Sequence, residues 1–187
     1  MSGELPAPER SRLLTLARAA LAGFLAGDEP PALPEGEPPR AVFVTWRRTG
    51  DGELRGCIGN LHPIHPLSRA VALNSVAAAT RDPRFEPVTA AELPELSVEI
   101  SVLSAFEEVA PEQVEAGRHG LLIEARGKRG LLLPQVAREH GWNDRDLLEH
   151  TCLKAGLDLD DWRSRDAKLM AFTAEVFGER GSRSPMI

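Results

Sequence analysis

Residues 30 to 39 read PPALPEGEPP, with five prolines in ten positions. Proline has no amide donor and a fixed φ, so neither a helix interior nor a central strand can run through this stretch. Residues 28–40 are therefore an extended connector that separates a short N-terminal segment from a long C-terminal one. In the short segment Leu13, Leu16, Ala17, Ala20, Leu21 and Phe24 recur at three- and four-residue steps. That period predicts an amphipathic helix from Pro8, closed by Gly27.

Beyond the connector the period changes. Ala41 to Arg47 and Glu53 to Leu61 flank Thr49-Gly50-Asp51-Gly52, which predicts a hairpin with Cys57 in its second strand. Pro66 opens a predicted helix reaching about Arg81, rich in Ala, Val and Leu around its circumference and so buried on several sides. Asp82 to Pro87 reads as a rigid turn, and Thr89 to Glu92 as a capping box for one helical turn. Leu96, Val98, Ile100 and Val102 alternate with Ser97, Glu99 and Ser101, which predicts a strand with one core face and one polar face.

A second hairpin is expected around Gly127-Lys128-Arg129, with short helices over Pro111 to Ala116, Pro134 to His140 and from Asn143 or Asp144 to Gly156. A last strand is expected over Leu169 to Phe177. Six strands joined through hairpins, with helices between them, predict an α+β fold with a largely antiparallel sheet flanked by helices. At 187 residues the chain suits one domain, residues 1–187, or two small lobes sharing a core.

Several function classes are disfavoured at this level. A formal charge of −6 repels phosphate backbones, so nucleic acid is an unlikely partner. The first apolar segment, Leu13 to Leu25, is interrupted by Arg18, and no membrane span or leader is predicted, so the expected location is cytoplasmic. Cys57 and Cys152 are expected to be reduced thiols there. There is no phosphate-binding glycine loop and no Gly-x-Ser-x-Gly elbow, and no cofactor is implied.

The most informative segment is Leu54-Arg55-Gly56-Cys57-Ile58-Gly59. In a strand Arg55 and Cys57 share a face, and a neighbouring cation lowers a thiol pKa toward the reactive range. Gly56 and Gly59 weaken a strand, which fits close approach by a ligand or by another backbone. Equally, Cys57 is a small core residue and the glycines make room for a helix. Cys57, His62 and His65 form a Cys-x4-His-x2-His run, but three candidates in a proline-stiffened loop argue against a metal site. Cys152 falls on a helical core stripe, and His150 is expected to pair with Asp146 one turn earlier. Asn74, on an apolar helical face, either braces the loop around Asp82 or points into a ligand cleft. Glu99 and Ser101 line a strand face that is ordinarily solvent-facing.

Taken in order, Leu54 to Gly59, Asp82-Pro83-Arg84-Phe85 with Pro87, Val98 to Leu103, His119-Gly120-Leu121 and Leu133 to Ala137 through Gly141-Trp142 closely resemble the AMMECR domain family. The resemblance covers about residues 13 to 179. It implies two unequal, closely packed lobes with a cleft, and it implies that the Leu-Arg-Gly-Cys-Ile-Gly segment is the functional centre. Prokaryotic members look like the first protein of the AmmeMemoRadiSam system. The implied partners are therefore a Memo-like protein or a radical S-adenosylmethionine enzyme, and the implied task is macromolecule modification.

Two readings follow from the sequence. In one the chain is a binding or accessory module whose cleft is lined by Gly56, Gly59, Asn74, Arg84 and Glu99, with Arg55 beside them. In the other it is a thiol-dependent enzyme or carrier with Cys57 as nucleophile, Arg55 lowering its pKa and His62 or His65 as the base if their loop folds back over the strand.

Overall fold

The structure, a computed structural model, describes residues 4–179. Its elements run α1 (Ala7–Ala26), β1 (Val42–Arg48), β2 (Leu54–Gly59), α2 (Leu67–Thr80), β3 (Leu96–Leu103), β4 (Glu107–Glu108), β5 (Gly120–Ala125), β6 (Lys128–Leu132), α3 (Pro134–His140), α4 (Asp144–Lys154), β7 (Lys168–Phe172) and β8 (Ala174–Gly178). The strands form two four-stranded antiparallel sheets, ordered β2-β1-β3-β8 and β4-β7-β5-β6. The α+β class is as expected, but eight strands in two sheets replace the six predicted.

Two compact units result. The first holds α1, α2 and the sheet β2-β1-β3-β8. Leu13, Ala17 and Leu21 of α1, Val71 and Ala78 of α2, and Val42, Val44, Trp46, Val98 and Ile100 of the sheet form its core. Each fully buried aliphatic side chain there contributes about 1.5–3 kcal/mol. The polar atoms in this layer are satisfied: Trp46 Nε1 donates to the Ser75 carbonyl at 3.0 Å, and Ser75 Oγ donates to the Ala17 carbonyl at 2.6 Å. Gly27, at φ 77°, ends α1 in the left-handed conformation. The connector carries no helix and makes one bridge, Pro39 to Pro66. It is tied down by Glu37, which accepts from the Ser68 amide at 2.7 Å and from Arg12 at 2.8 Å.

The second unit packs α3 and α4 on its own sheet, with Leu121, Ile123, Leu147, Leu148, Cys152 and Leu169 in the core. Cys152 is fully buried, and burial pushes its thiol pKa up. Asn143 caps α4 in a reciprocal box with Asp146. That box engages Asp146, and His150 stacks instead on Trp142, centroids 4.0 Å apart, with His140 4.8 Å from the same indole. The expected His150–Asp146 pair is therefore replaced by a three-ring stack.

Other boundaries differ for local reasons. The second hairpin turns at Arg126 (φ 51°) and Gly127 (φ 72°), so Lys128 and Arg129 belong to β6 and not to the tip. Residues 111–113 form only a 3-10 turn. The single strand expected over Leu169 to Phe177 divides at Thr173, whose carbonyl accepts from the Ser104 amide and whose amide donates to Ser104 Oγ, both at 2.9 Å. Its halves, β7 and β8, join different sheets. Among the described residues no helix is long and apolar enough to cross a membrane.

Gly56 has a packing reason that can be tested: a Cβ there would overlap the Ala78 carbonyl of α2. Gly56→Ala is expected to destabilise the chain by about 2 kcal/mol in urea unfolding. Gly50→Ala, which meets nothing within 4 Å and has no positive φ, should be near neutral.

Candidate functional site

The strand parity of the first sheet sorts its side chains cleanly. Val42, Val44 and Trp46 enter the core, so Phe43, Thr45 and Arg47 take the opposite face. Phe43 pairs with Gly59 and with Ser101, Thr45 with Cys57 and with Glu99, and Arg47 with Ser97. The face opposite the helices thus carries a cross-strand row, Cys57–Thr45–Glu99, with Arg47 and Ser97 at one end and Phe43, Gly59 and Ser101 at the other.

Cys57 is a free, partly exposed thiol, and Thr45 Oγ1 donates to its sulfur at 3.2 Å. Its amide points off the sheet edge and donates to Asp82 Oδ2 at 2.9 Å. Asp82 is buried and also accepts from the Arg84 amide at 3.1 Å, Nε at 2.9 Å and Nη2 at 2.7 Å. The Arg84 hydrogen bonds, helped by the Cys57 and Arg84 amides, hold the Asp82 carboxyl far below its usual range against the opposing effect of burial. Arg84 is raised in turn by Asp82, and its charge also interacts with Cys57.

Arg55 does not fill the role expected of it. It is buried, with Nε donating to Glu92 Oε1 at 3.0 Å and Nη1 to the Glu86 carbonyl at 2.7 Å. Glu92 also accepts from the Thr89 amide at 2.9 Å, so the capping-box residues lead into the expected single helical turn, a 3-10 turn over Leu93–Glu95, and clamp it onto Arg55. The cation whose field reaches the sulfur is Arg84. A guanidinium spent on a carboxylate and a carbonyl serves to fix residues 86–92.

Asn74 braces neither the Asp82 loop nor an open cleft. Its Nδ2 donates to the Val42 carbonyl at 3.0 Å and to Asn60 Oδ1 at 2.9 Å, fastening α2 to the far end of the hairpin. Gly56 yields to the Ala78 carbonyl, and Gly59 to the Phe43 ring and the Val42 carbonyl. Both glycines are therefore explained by packing. Among the described residues no three His, Cys, Asp or Glu side chains converge as metal ligands, and the thiol's hydrogen-bond partner is Thr45, not His62 or His65.

The polar face of β3 departs furthest from expectation. Ser97 and Ser101 are 4% and 6% exposed, so this is not an open solvent face. Glu99 is half-buried, and desolvation raises its pKa, with Arg47 opposing only in part. Among the described residues none of these three side chains has an intramolecular hydrogen-bond partner. Sequence reasoning gave no site role to Thr45, Arg47, Ser97 or Asp82. The alternation Val42-Phe43-Val44-Thr45-Trp46-Arg47 carried the first two signals, and the Asx-turn preference of Asp-Pro-Arg the last.

Two titrations follow. The Asp82 carboxyl titrates lower in the folded than in the unfolded chain, so its contribution is present above about pH 4 and lost as pH falls toward its folded value. Asp82→Asn should cost about 1–2 kcal/mol at pH 7 and flatten the acid limb of a urea-unfolding pH series. The Glu99 carboxyl titrates higher when folded, so its charged form is a liability at neutral pH that vanishes below its unfolded range near 4.5. Glu99→Gln should therefore stabilise the chain at pH 7.5 and converge with the parent by pH 4 in the same series.

Comparison with known proteins agrees with this architecture. The AMMECR1 family profile matches residues 14–177. A protein of Methanopyrus kandleri is 39% identical, with 100% of this chain and 96% of its own length aligned. A protein of Thermococcus kodakarensis is 43% identical, with 93% and 92% aligned. The crystal structure of the uncharacterised protein PH0010 from Pyrococcus horikoshii superposes with a TM-score of 0.82 at 37% identity, covering 97% of this chain and 96% of that one. With nearly its whole length matched in sequence and in three dimensions, the chain belongs to the AMMECR1 family.

Proposed function

We propose that the chain is a cytoplasmic binding or accessory module, and that the face carrying Cys57, Thr45, Glu99, Ser97 and Ser101 is its ligand site. The observation that supports this is the set of low-exposure polar side chains on β3 that have no partner within the protein. Their oxygens are not among the buried atoms left without a partner, so they still reach water and are donors and acceptors that a ligand could take up by displacing solvent. Asp82 holds the middle of β2 at Cys57 and Asn74 holds the open end of the hairpin at Val42 and Asn60, so the row sits on strands fixed at two points. In keeping with the family resemblance, the module would serve a macromolecule-modifying assembly with a Memo-like protein or a radical S-adenosylmethionine enzyme as its partner.

A thiol-dependent reaction is the second reading, favoured by one feature. A partly exposed sulfur receives a hydroxyl hydrogen bond and lies in the field of Arg84.

The test is native mass spectrometry of the intact chain after incubation with a cell metabolite extract. A non-covalent adduct that persists in Cys57→Ser and disappears in a folded Glu99→Leu variant is the expected result. No adduct, or one indifferent to Glu99, removes the binding reading. A covalent adduct on the Cys57 sulfur, together with alkylation by iodoacetamide at neutral pH much faster than that of an exposed model thiol, replaces it with the thiol reading.

A further inference from the structure

This face carries a guanidinium that forms no ion pair beside unspent hydroxyls. Arg47 makes no ion pair among the described residues. Its Nη1 donates to the Gly52 carbonyl at 3.3 Å, and its buried Nε has no acceptor. Ser97 is its cross-strand neighbour, and Ser101 lies two pairs further along, each with an unused hydroxyl. Thr45 donates to the sulfur. Glu99 is half-buried, and desolvation raises its pKa against the partial opposition of Arg47. Arg84 is already ion-paired with Asp82, whereas Arg47 forms no ion pair among the described residues and has only a partial charge interaction with Glu99.

Withdrawing part of a guanidinium from water without a carboxylate or phosphate is costly, and its planar fork suits an oxyanion. We propose that the ligand of this face carries a carboxylate or phosphate, seated against Arg47 and the Ser97 hydroxyl, with the rest of the ligand lying along the Cys57–Thr45–Glu99 row. This rests on the binding reading above and names its chemistry. Successive side chains on one face of a strand stand about 6.8 Å apart. An oxyanion held at Arg47 is thus about one amino-acid residue away from the groups of that row, which makes a small N-acylated amino acid a fitting probe.

The experiment titrates the intact chain with N-acetylglycine, its uncharged analogue N-acetylglycinamide and inorganic phosphate, and follows the amide NMR signals of residues 43–47 and 97–101. Saturable shifts are expected with an anionic probe, at least tenfold weaker with the uncharged amide and at least tenfold weaker in Arg47→Gln. The tighter of the two anions tells a carboxylate source from a phosphate one. Arg47→Lys, which keeps the charge but not the fork, should bind with intermediate affinity and retain the parent spectrum elsewhere, which separates lost charge from lost fold. Equal binding of acid and amide overturns the oxyanion assignment while leaving the face as a ligand site. Undiminished binding in Arg47→Gln overturns it by moving the anion elsewhere. Silence of these residues toward every probe also overturns it, and the extract experiment then judges the wider binding reading on its own.

Discussion

One buried carboxylate sets the geometry of the site. β2 is an edge strand, and the amide of Cys57 would face outward with no ladder partner. Asp82, delivered by the turn after α2, takes that proton and spends its remaining lone pairs on Arg84. The sulfur, the cation beside it and the end of α2 are thereby held to a single group. Gly56 adds the second restraint, because only a residue without a side chain lets the Ala78 carbonyl lie against the strand.

Much of this was legible in the sequence, in proportion to how local the physics is. The helix α1 with Gly27, the first hairpin, α2 and the alternation of β3 follow from periodicity and from proline and glycine placement alone. The placement of Cys152 in a core also followed from helical spacing. The strand over residues 169–177 keeps no single alternating face across its break: Leu169, Ala171 and Phe172 are buried in β7 and Phe177 in β8, because the polar-apolar pattern does not record which sheet provides the burial. The division at Thr173 is made by backbone bonds to Ser104, a residue about seventy positions away, and no local pattern encodes it.

The charges were harder to read for the same reason. Arg55 and Cys57 share a face by strand parity, but the ladder shifts register at Arg55, an arginine side chain is long enough to choose among partners, and Glu92 lies in a turn whose position depends on the whole unit. Three-dimensional neighbours decided which guanidinium meets the thiol and which clamps a loop. Likewise, Ser97 and Ser101 looked like ordinary surface residues because alternation distinguishes polar from apolar and says nothing about whether the polar side meets water. Asn74, conspicuous as an amide among apolar neighbours, proved to be a fastener for the hairpin.

The two hydrogen bonds joining Ser104 to Thr173 have a topological meaning. The second unit is an insertion: the chain leaves the first sheet after β3 and comes back to it as β8, and the outgoing and returning strands are stapled together at the junction. A module whose entrance and exit are adjacent can be exchanged, lengthened or trimmed without disturbing the path of its host. The architecture thus allows the inserted portion to diversify independently while the scaffold holding the thiol stays as it is.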